Sequence, residues 1–347
     1  MAGLRPKSGP TMHDVAAAAG VSQATVSLVL NSASGSRFSE DTRKRVRDAV
    51  NRLGYRTNAH AKTLRDGVAG MIGFIGDSVA TSPFAGAIIE GAQQRAWEDG
   101  LLLLTVNTGG DKELEAASLD TMLSYKVAGV VYGAMYHRKL EVPEALAGVR
   151  SVVLNSQDRA GNLPSVAPNE VKGGYTATRR LLDAGHRRIA LINIESLESE
   201  LPAAVGRHEG YRKALEEADL ESDPDLVRFG KGGEEDGYKY ATELLTSSQP
   251  PTAIFCANDR GAWGAYQAIS DLRLSVPNDV SIVGFDNQAI LAPHLRPGLT
   301  TLELPFVAMG RRAVELILQG AEPDGRVELM DCPLIERNSV THPKEMP

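Results

Sequence analysis

Two periodicities divide the chain. From Thr11 to Gly54 apolar residues recur every three to four positions, the spacing of amphipathic helices, whereas after Gly67 they gather into short continuous runs. In the first segment Thr11 can cap a helix whose small apolar face is Val15, Ala16 and Ala19, with Asp14 in the first turn, where the helix dipole favours a negative charge. Gly20 follows at once and can take the left-handed conformation that turns the chain sharply. Val21 is then expected at a buried corner, and Ser22 caps a second helix with Val26, Val29 and Leu30 on its core side. Ser39 opens a third helix that stops at Gly54, with Val46, Val50 and Leu53 as its stripe. The pattern predicts a helix-turn-helix followed by a supporting helix, a unit too small to bury much surface alone.

Beyond Gly67 the runs MIGFIG (71–76), LLLLTV (101–106), AGVVYG (128–133), SVVLN (151–155), RIALINI (188–194), AIFCAN (253–258) and SIVGFD (281–286) alternate with helical patterns. Continuous apolar runs are what parallel strands covered on both faces require, so this part reads as doubly wound α/β. About 270 residues are long for one sheet, and two lobes with a cleft between them are expected. Trp263 and the stripe around it read as helix core.

The length, 347 residues, agrees with two or three units at ~150 residues each. No run approaches the ~20 apolar residues of a membrane helix, and the first residues, MAGLRPKSGPTMHD, lack a signal-peptide core, so a cytoplasmic protein with no membrane partner is expected. Cys256 and Cys332 are too few for a disulfide framework and read as reduced, buried thiols. Charge changes the picture more. Residues 1–66 carry eleven Lys/Arg against five Asp/Glu, while the remainder carries 26 against 39. A basic head on an acidic body points the head toward a polyanion.

The second helix offers chemistry for reading such a polymer. Gln23, Ala24, Ser27 and Leu28 point away from its core side; Gln pairs with adenine in a major groove, and Ala and Leu meet thymine methyls. Ser22, Thr25, Ser27 and Asn31 are small donors suited to phosphate oxygens. DVAAAAGVSQATVSLVLN resembles the head of the lactose-repressor (LacI/GalR) family, whose pattern is close to DVAxxAGVSxxTVSxVLN, and the resemblance extends over almost the whole chain. It implies that Gln23, Ala24 and Leu28 read operator bases, although a basic residue is common where Leu28 stands. It also implies that Arg37 faces phosphate. Arg43, Arg45 and Arg47 read equally as a solvated face or as DNA contacts.

In the same family the segment 57–68 is a hinge helix that folds on the operator. Asn58, Ala61 and Leu64 are in register with it, while Thr57 replaces the usual proline. Leu64, flanked by Lys62 and Arg65, is then an apolar wedge for a minor-groove kink. The body is expected to be a periplasmic-binding-protein-like effector domain. TSPF (81–84), NEVKGG (169–174), GHRRIALI (185–192), RHEGYRKAL (207–215), AND (257–259), VGFDN (283–287) and TTLELPF (300–306) carry that likeness. Most of these segments fall where a strand ends, the place where doubly wound sheets bind ligands. The resemblance implies effector contacts from Ser82, Phe84, Asn169, Arg207, Asn258, Asp286 and Phe306. Arg, Asn and Asp suit ligand hydroxyls, and the two Phe suit the face of a sugar ring; Asp259 reads as a helix cap. Many relatives place an aromatic residue near 232, where this chain has Gly232, so a phosphorylated sugar, nucleobase or other polar metabolite joins the sugars as a candidate.

The expected organisation is a flexible arm (1–10), a helix-turn-helix domain (11–56), a hinge (57–68), an effector and dimerisation domain (69–340) and a tail (341–347). Within the body the N-lobe is expected at 69–167 and 298–327, and the C-lobe at 168–297 and 328–340. The fold class is a small all-α helix-turn-helix head plus an α/β two-lobed periplasmic-binding-protein-like body. The expected function is a homodimeric transcriptional regulator, most often a repressor in this family. Its partners would be a palindromic double-stranded DNA operator and a sugar-like small-molecule effector. No cofactor, metal or catalytic residue is expected: GxxxxGK[ST], HExxH and GxSxG are absent, and the seven histidines lack ligand spacing. A cytoplasmic solute-binding module or a sugar-active enzyme with a degenerate head is the alternative.

Overall fold

Thr11 opens the first helix with a reciprocal cap. Its hydroxyl accepts from the Asp14 amide (3.3 Å), and its own amide donates to the Asp14 carboxylate (2.7 Å), which holds that carboxyl below its ordinary range. These residues belong to a computed structural model that describes residues 10–31, 38–55, 70–81, 86–320, 322 and 324–344. The chain separates into two units, Met1–Ala69 and Gly70–Pro347.

Among the described residues of the first unit, α1 (Met12–Ala19), α2 (Gln23–Asn31) and α3 (Glu40–Leu53) pack together as a helical head. Gly20 takes φ 65°, ψ 41° and closes α1, and the Ser22 hydroxyl accepts from the Thr25 amide (3.1 Å) at the start of α2. Val15, Ala16, Ala19, Val26, Val46 and Ala49 are buried together, with Val29, Leu30, Val50 and Leu53 packed against them. Val21 is only half-buried at the corner. Arg45 does more than line a solvated face: its guanidinium donates to the Ala19 carbonyl (3.3 Å), tying α3 to the end of α1.

The second unit runs β1 (Met71–Gly76), α4 (Gly86–Glu98), β2 (Leu102–Asn107), α5 (Lys112–Ser124), β3 (Val130–Gly133), β4 (Lys139–Leu140), β5 (Ser151–Leu154), β6 (Gln157–Asp158), β7 (Ser165–Pro168) and α6 (Glu170–Asp183). It continues with β8 (Ile189–Asn193), α7 (Pro202–Glu216), β9 (Val227–Phe229), α8 (Glu234–Leu245), β10 (Ala253–Cys256), α9 (Asp259–Asp271), β11 (Ser281–Asp286), β12 (Thr300–Glu303), α10 (Phe306–Gln319), β13 (Val327–Met330) and β14 (Leu334–Ile335). One sheet has the order β13-β7-β5-β3-β1-β2 and the other β14-β12-β11-β10-β8-β9, while β4 and β6 form a separate ribbon. Among the described residues, pairing is parallel except between β12 and β14. Each sheet carries an apolar cluster on either face, which is why its central strands read as unbroken apolar runs.

The chain passes between the sheets after β7, after β12 and after β13. The expected lobe boundaries at 298 and 328 are therefore corrected. Thr300–Glu303 still pairs with β11 in the second sheet, and Val327–Met330 pairs with β7 in the first. For β13 the deciding partner lies 162 residues back along the chain, whereas β12 stays with β11, 17 residues before it, and no local composition marks either choice. Trp263 is also corrected: the small residues Ala262 and Ala265 of α9 fill the core, while Trp263 is 39% exposed.

Candidate functional site

On the head, packing of Val26 into the core turns the opposite side of α2 outward. Ser22, Gln23 and Ala24 are exposed, Leu28 is 52% exposed, and Thr25 and Ser27 are half-buried. Gln23 and Leu28 are thus both exposed on a helix that follows a tight turn, and side chains of these types can meet adenine edges and thymine methyls in a major groove. Asn31 closes α2. Arg37, Asn58, Ala61, Leu64 and Arg65 lie outside the described residues.

In the body a pocket of about 60 Å³ opens where strands of both sheets end. Arg207, Asn258, Asp286 and Phe306 line it, as do Met135, Tyr136, His137, Asn155, Glu170 and Arg260. Four of the expected effector residues are thus brought together. Ser82 and Phe84 lie outside the described residues. Asn169 is placed elsewhere: its side chain accepts from the Lys172 amide (3.1 Å) as the cap of α6, and it is absent from the pocket lining.

Arg207, on α7, is buried and already engaged by the protein itself. Its Nε donates to Glu170 Oε2 (2.8 Å), its Nη1 donates to the Ala257 carbonyl and lies 3.7 Å from Asp286 Oδ1, and its guanidinium stacks 3.8 Å above the Phe285 ring. Burial pushes the Glu170 carboxyl upward, but Arg207 and then His137 outweigh it and hold the group below its ordinary value. For Asp286 burial wins, raising it to about 6 despite Arg207. Asp286 also sits at φ 110°, a strained conformation for a residue with a side chain, which turns its carboxylate off the end of β11.

Asn258 caps α9 by accepting from the Gly261 amide (2.8 Å) and donates to the Gly232 carbonyl (2.8 Å). Asp259 is not the cap. Its carboxylate accepts from the Gln288 amide (2.7 Å) and the Thr301 hydroxyl (2.6 Å), binding two distant loops. Burial, and then the neighbouring Asp286, push it up to about 8. Gly232 has φ 70°, and a Cβ there would lie 2.8 Å from Asn258 Nδ2, so the aromatic side chain expected of many relatives has no room in this loop.

His137 and Glu170 are the site residues that sequence reasoning missed. Gln157 Nε2 lies 2.9 Å from His137 Nε2, so its amide donates there and leaves the ring proton on Nδ1, which donates to Glu170 Oε1 (3.3 Å). Both side chains are buried. The available signal was weak: Glu170 adjoins Asn169 in a segment already singled out, and His137 follows a strand end. Cys256 and Cys332 are free and buried, and burial pushes both thiols up, away from reactivity.

A helix-turn-helix head and a two-sheet α/β body with a polar cleft define the architecture of a ligand-responsive DNA-binding regulator. The profile described as bacterial regulatory proteins, lacI family, matches residues 11–58, and that of the periplasmic binding protein-like domain matches residues 178–340. The HTH-type transcriptional repressor PurR of Histophilus somni (strain 2336) is 34% identical over 319 residues, 91% of this chain and 93% of that protein. The ribose operon repressor of Haemophilus influenzae is 35% identical over 310 residues, 89% and 91% of the two chains. The lac repressor dimer bound to operator and the anti-inducer ONPF superposes with a TM-score of 0.79 at 26% identity, covering 96% of this chain and all of that one. The chain belongs to the LacI family of bacterial transcription regulators, a family of DNA-binding repressors and not of enzymes. Among the described residues no helix is long and apolar enough to cross a membrane.

Proposed function

We propose that the protein is a cytoplasmic, homodimeric repressor that binds a palindromic operator and is controlled by a small hydroxyl-rich effector, sugar-like in chemistry. The observation carrying this reading is the convergence of Arg207, Asn258, Asp286 and Phe306 on one pocket, in a chain whose head turns Gln23, Ala24 and Leu28 to solvent. In this reading those three side chains read bases. Ser22, Thr25, Ser27, Asn31 and Arg37 hold phosphates, and the hinge 57–68 places Asn58, Ala61, Leu64 and Arg65 at the minor groove. Two-fold protein symmetry matches two half-sites, as in the lac repressor dimer on its operator.

The pocket's 60 Å³ is far below the ~300–1,000 Å³ of small-molecule sites, because the protein's own charged side chains fill it. Ligand entry therefore requires the lobes to part, and a ligand with unequal affinity for the two arrangements shifts their populations. Ser82 and Phe84 complete the site in this reading. The test is selection of bound sequences from a random duplex pool by the purified full chain, repeated with a panel of sugars, nucleosides and their phosphates. An enriched palindrome whose recovery changes with one compound supports the reading; no enrichment under any condition refutes it.

A further inference from the structure

We infer that Glu170 and His137 make the cleft selective for an uncharged polyhydroxyl ligand over its phosphate ester, an inference that rests on the cleft being the effector site. Glu170 acts as a built-in anion on Arg207, and His137 secures it from the opposite lobe.

The charge balance of the lining carries the argument. Among the described residues, two guanidinium groups, Arg207 and Arg260, face it together with two carboxylates, Glu170 and Asp286, and the other strongly polar neighbours are Asn155, Asn258 and His137. Arg207 already touches both carboxylates, and Arg260 exerts its field on Asp286. Among the described residues the two guanidinium groups and the two carboxylates balance, and no positive charge is in surplus. A phosphate dianion would enter a buried space beside two fixed carboxylates, losing its hydration without a compensating cation. The alternative is to displace Glu170 from Arg207, which strands a buried carboxylate and disturbs the His137 contact made by the same group. A hydroxyl ligand faces neither cost, because the Asp286 carboxylate accepts from it as it stands.

The connectivity adds a second line of argument. Glu170 stands at the start of α6, in the lobe of the second sheet, and bonds to Arg207 on α7 of that lobe. His137 lies between β3 and β4 in the other lobe and is itself held by Gln157 of β6. Glu170 is therefore pinned from both sides of the cleft, and an incoming anion does not simply rotate it away.

The experiment measures affinities of the full chain by calorimetry for matched probes: ribose and ribose 5-phosphate, glucose and glucose 6-phosphate, adenosine and adenosine 5′-phosphate. The wild type should bind the neutral member of at least one pair tenfold or more tighter than its phosphate. Glu170→Gln should collapse or reverse that ratio, and Glu170→Asp, which keeps the charge, should restore most of it. A merely structural role for Glu170 would weaken both members of a pair alike, leave the ratio unchanged and so overturn the inference. Tighter wild-type binding of a phosphate member overturns it too, while leaving the cleft as the effector site. Binding of no probe by the wild type overturns both the inference and the effector-site reading. Should Glu170→Gln fail to fold, His137→Gln supplies the same comparison by loosening the carboxylate from across the cleft.

Discussion

Helices α6 and α7 approach so closely at Gly174 that a single added methyl group tests how the polar pocket around Arg207 is built. A Cβ at position 174 would lie 2.7 Å from the Arg207 Cα and nearer still to the Arg207 carbonyl oxygen, while Gly206 stands equally close to Glu170. Unstrained carbon contacts need ~3.5 Å or more, so Gly174→Ala must push the helices apart by roughly 1 Å. The obstacle is backbone, which cannot rotate aside, so the cost belongs at the upper end of the ~1–3 kcal/mol typical of overpacking. Alanine's better helix propensity returns about 1 kcal/mol. The net expectation is a loss of ~2 kcal/mol, or roughly 4–8 °C in Tm for a unit of this size. Because the displaced backbone is that of Arg207, the guanidinium should also move off Glu170, and effector affinity should fall with stability. Thermal and urea unfolding followed by circular dichroism, with calorimetric titration of whichever ligand the selection experiment yields, measures both. A variant as stable as the wild type, or more so, would refute the claim that this seam is in backbone contact.

Three further outcomes follow from the same structure. Asp259, pushed up to about 8, keeps its proton in the folded chain at pH values where the unfolded chain, with a pKa of ~4, has released it. Its contribution to stability is therefore lost as pH rises from ~4 to about 8, and Asp259→Asn should gain on the wild type over that window. Urea unfolding at pH 5 and pH 7.5 with the same difference between the two proteins would mean that the carboxylate is ionised in the fold. Gly20→Ala forces a side chain into the left-handed region at about 1–2 kcal/mol. Hydrogen exchange across residues 12–53 should accelerate markedly, and unchanged exchange would contradict the role given to this turn. Leu28→Lys, at an exposed position, should change stability by less than ~0.5 kcal/mol. It should also steepen the salt dependence of DNA binding by about one unit of slope, and an unchanged slope in fluorescence anisotropy would place residue 28 away from the duplex.

What the sequence by itself determined was whatever depends on near neighbours. Thr11, Ser22 and Ser39 cap their helices within three residues, Gly20 turns within one, and the central strands announce themselves because both of their faces are buried. Arg207, Asn258 and Asp286 were also legible, through the family resemblance of the segments that carry them, Asn258 and Asp286 at strand ends and Arg207 within α7. Only the tertiary structure decided how those side chains are used. That Arg207 is already neutralised depends on Glu170, 37 positions away, and that Glu170 is pinned depends on His137 in the other lobe. The same holds for β13, whose sheet is chosen by a hydrogen-bond partner 162 residues away, and for Arg45, which serves the end of α1 and not only the solvent. The physical reason is common to all of them. A cap or a turn is satisfied by the backbone beside it, whereas the state of a buried charge is set by the charges and donors that folding brings around it from elsewhere in the chain.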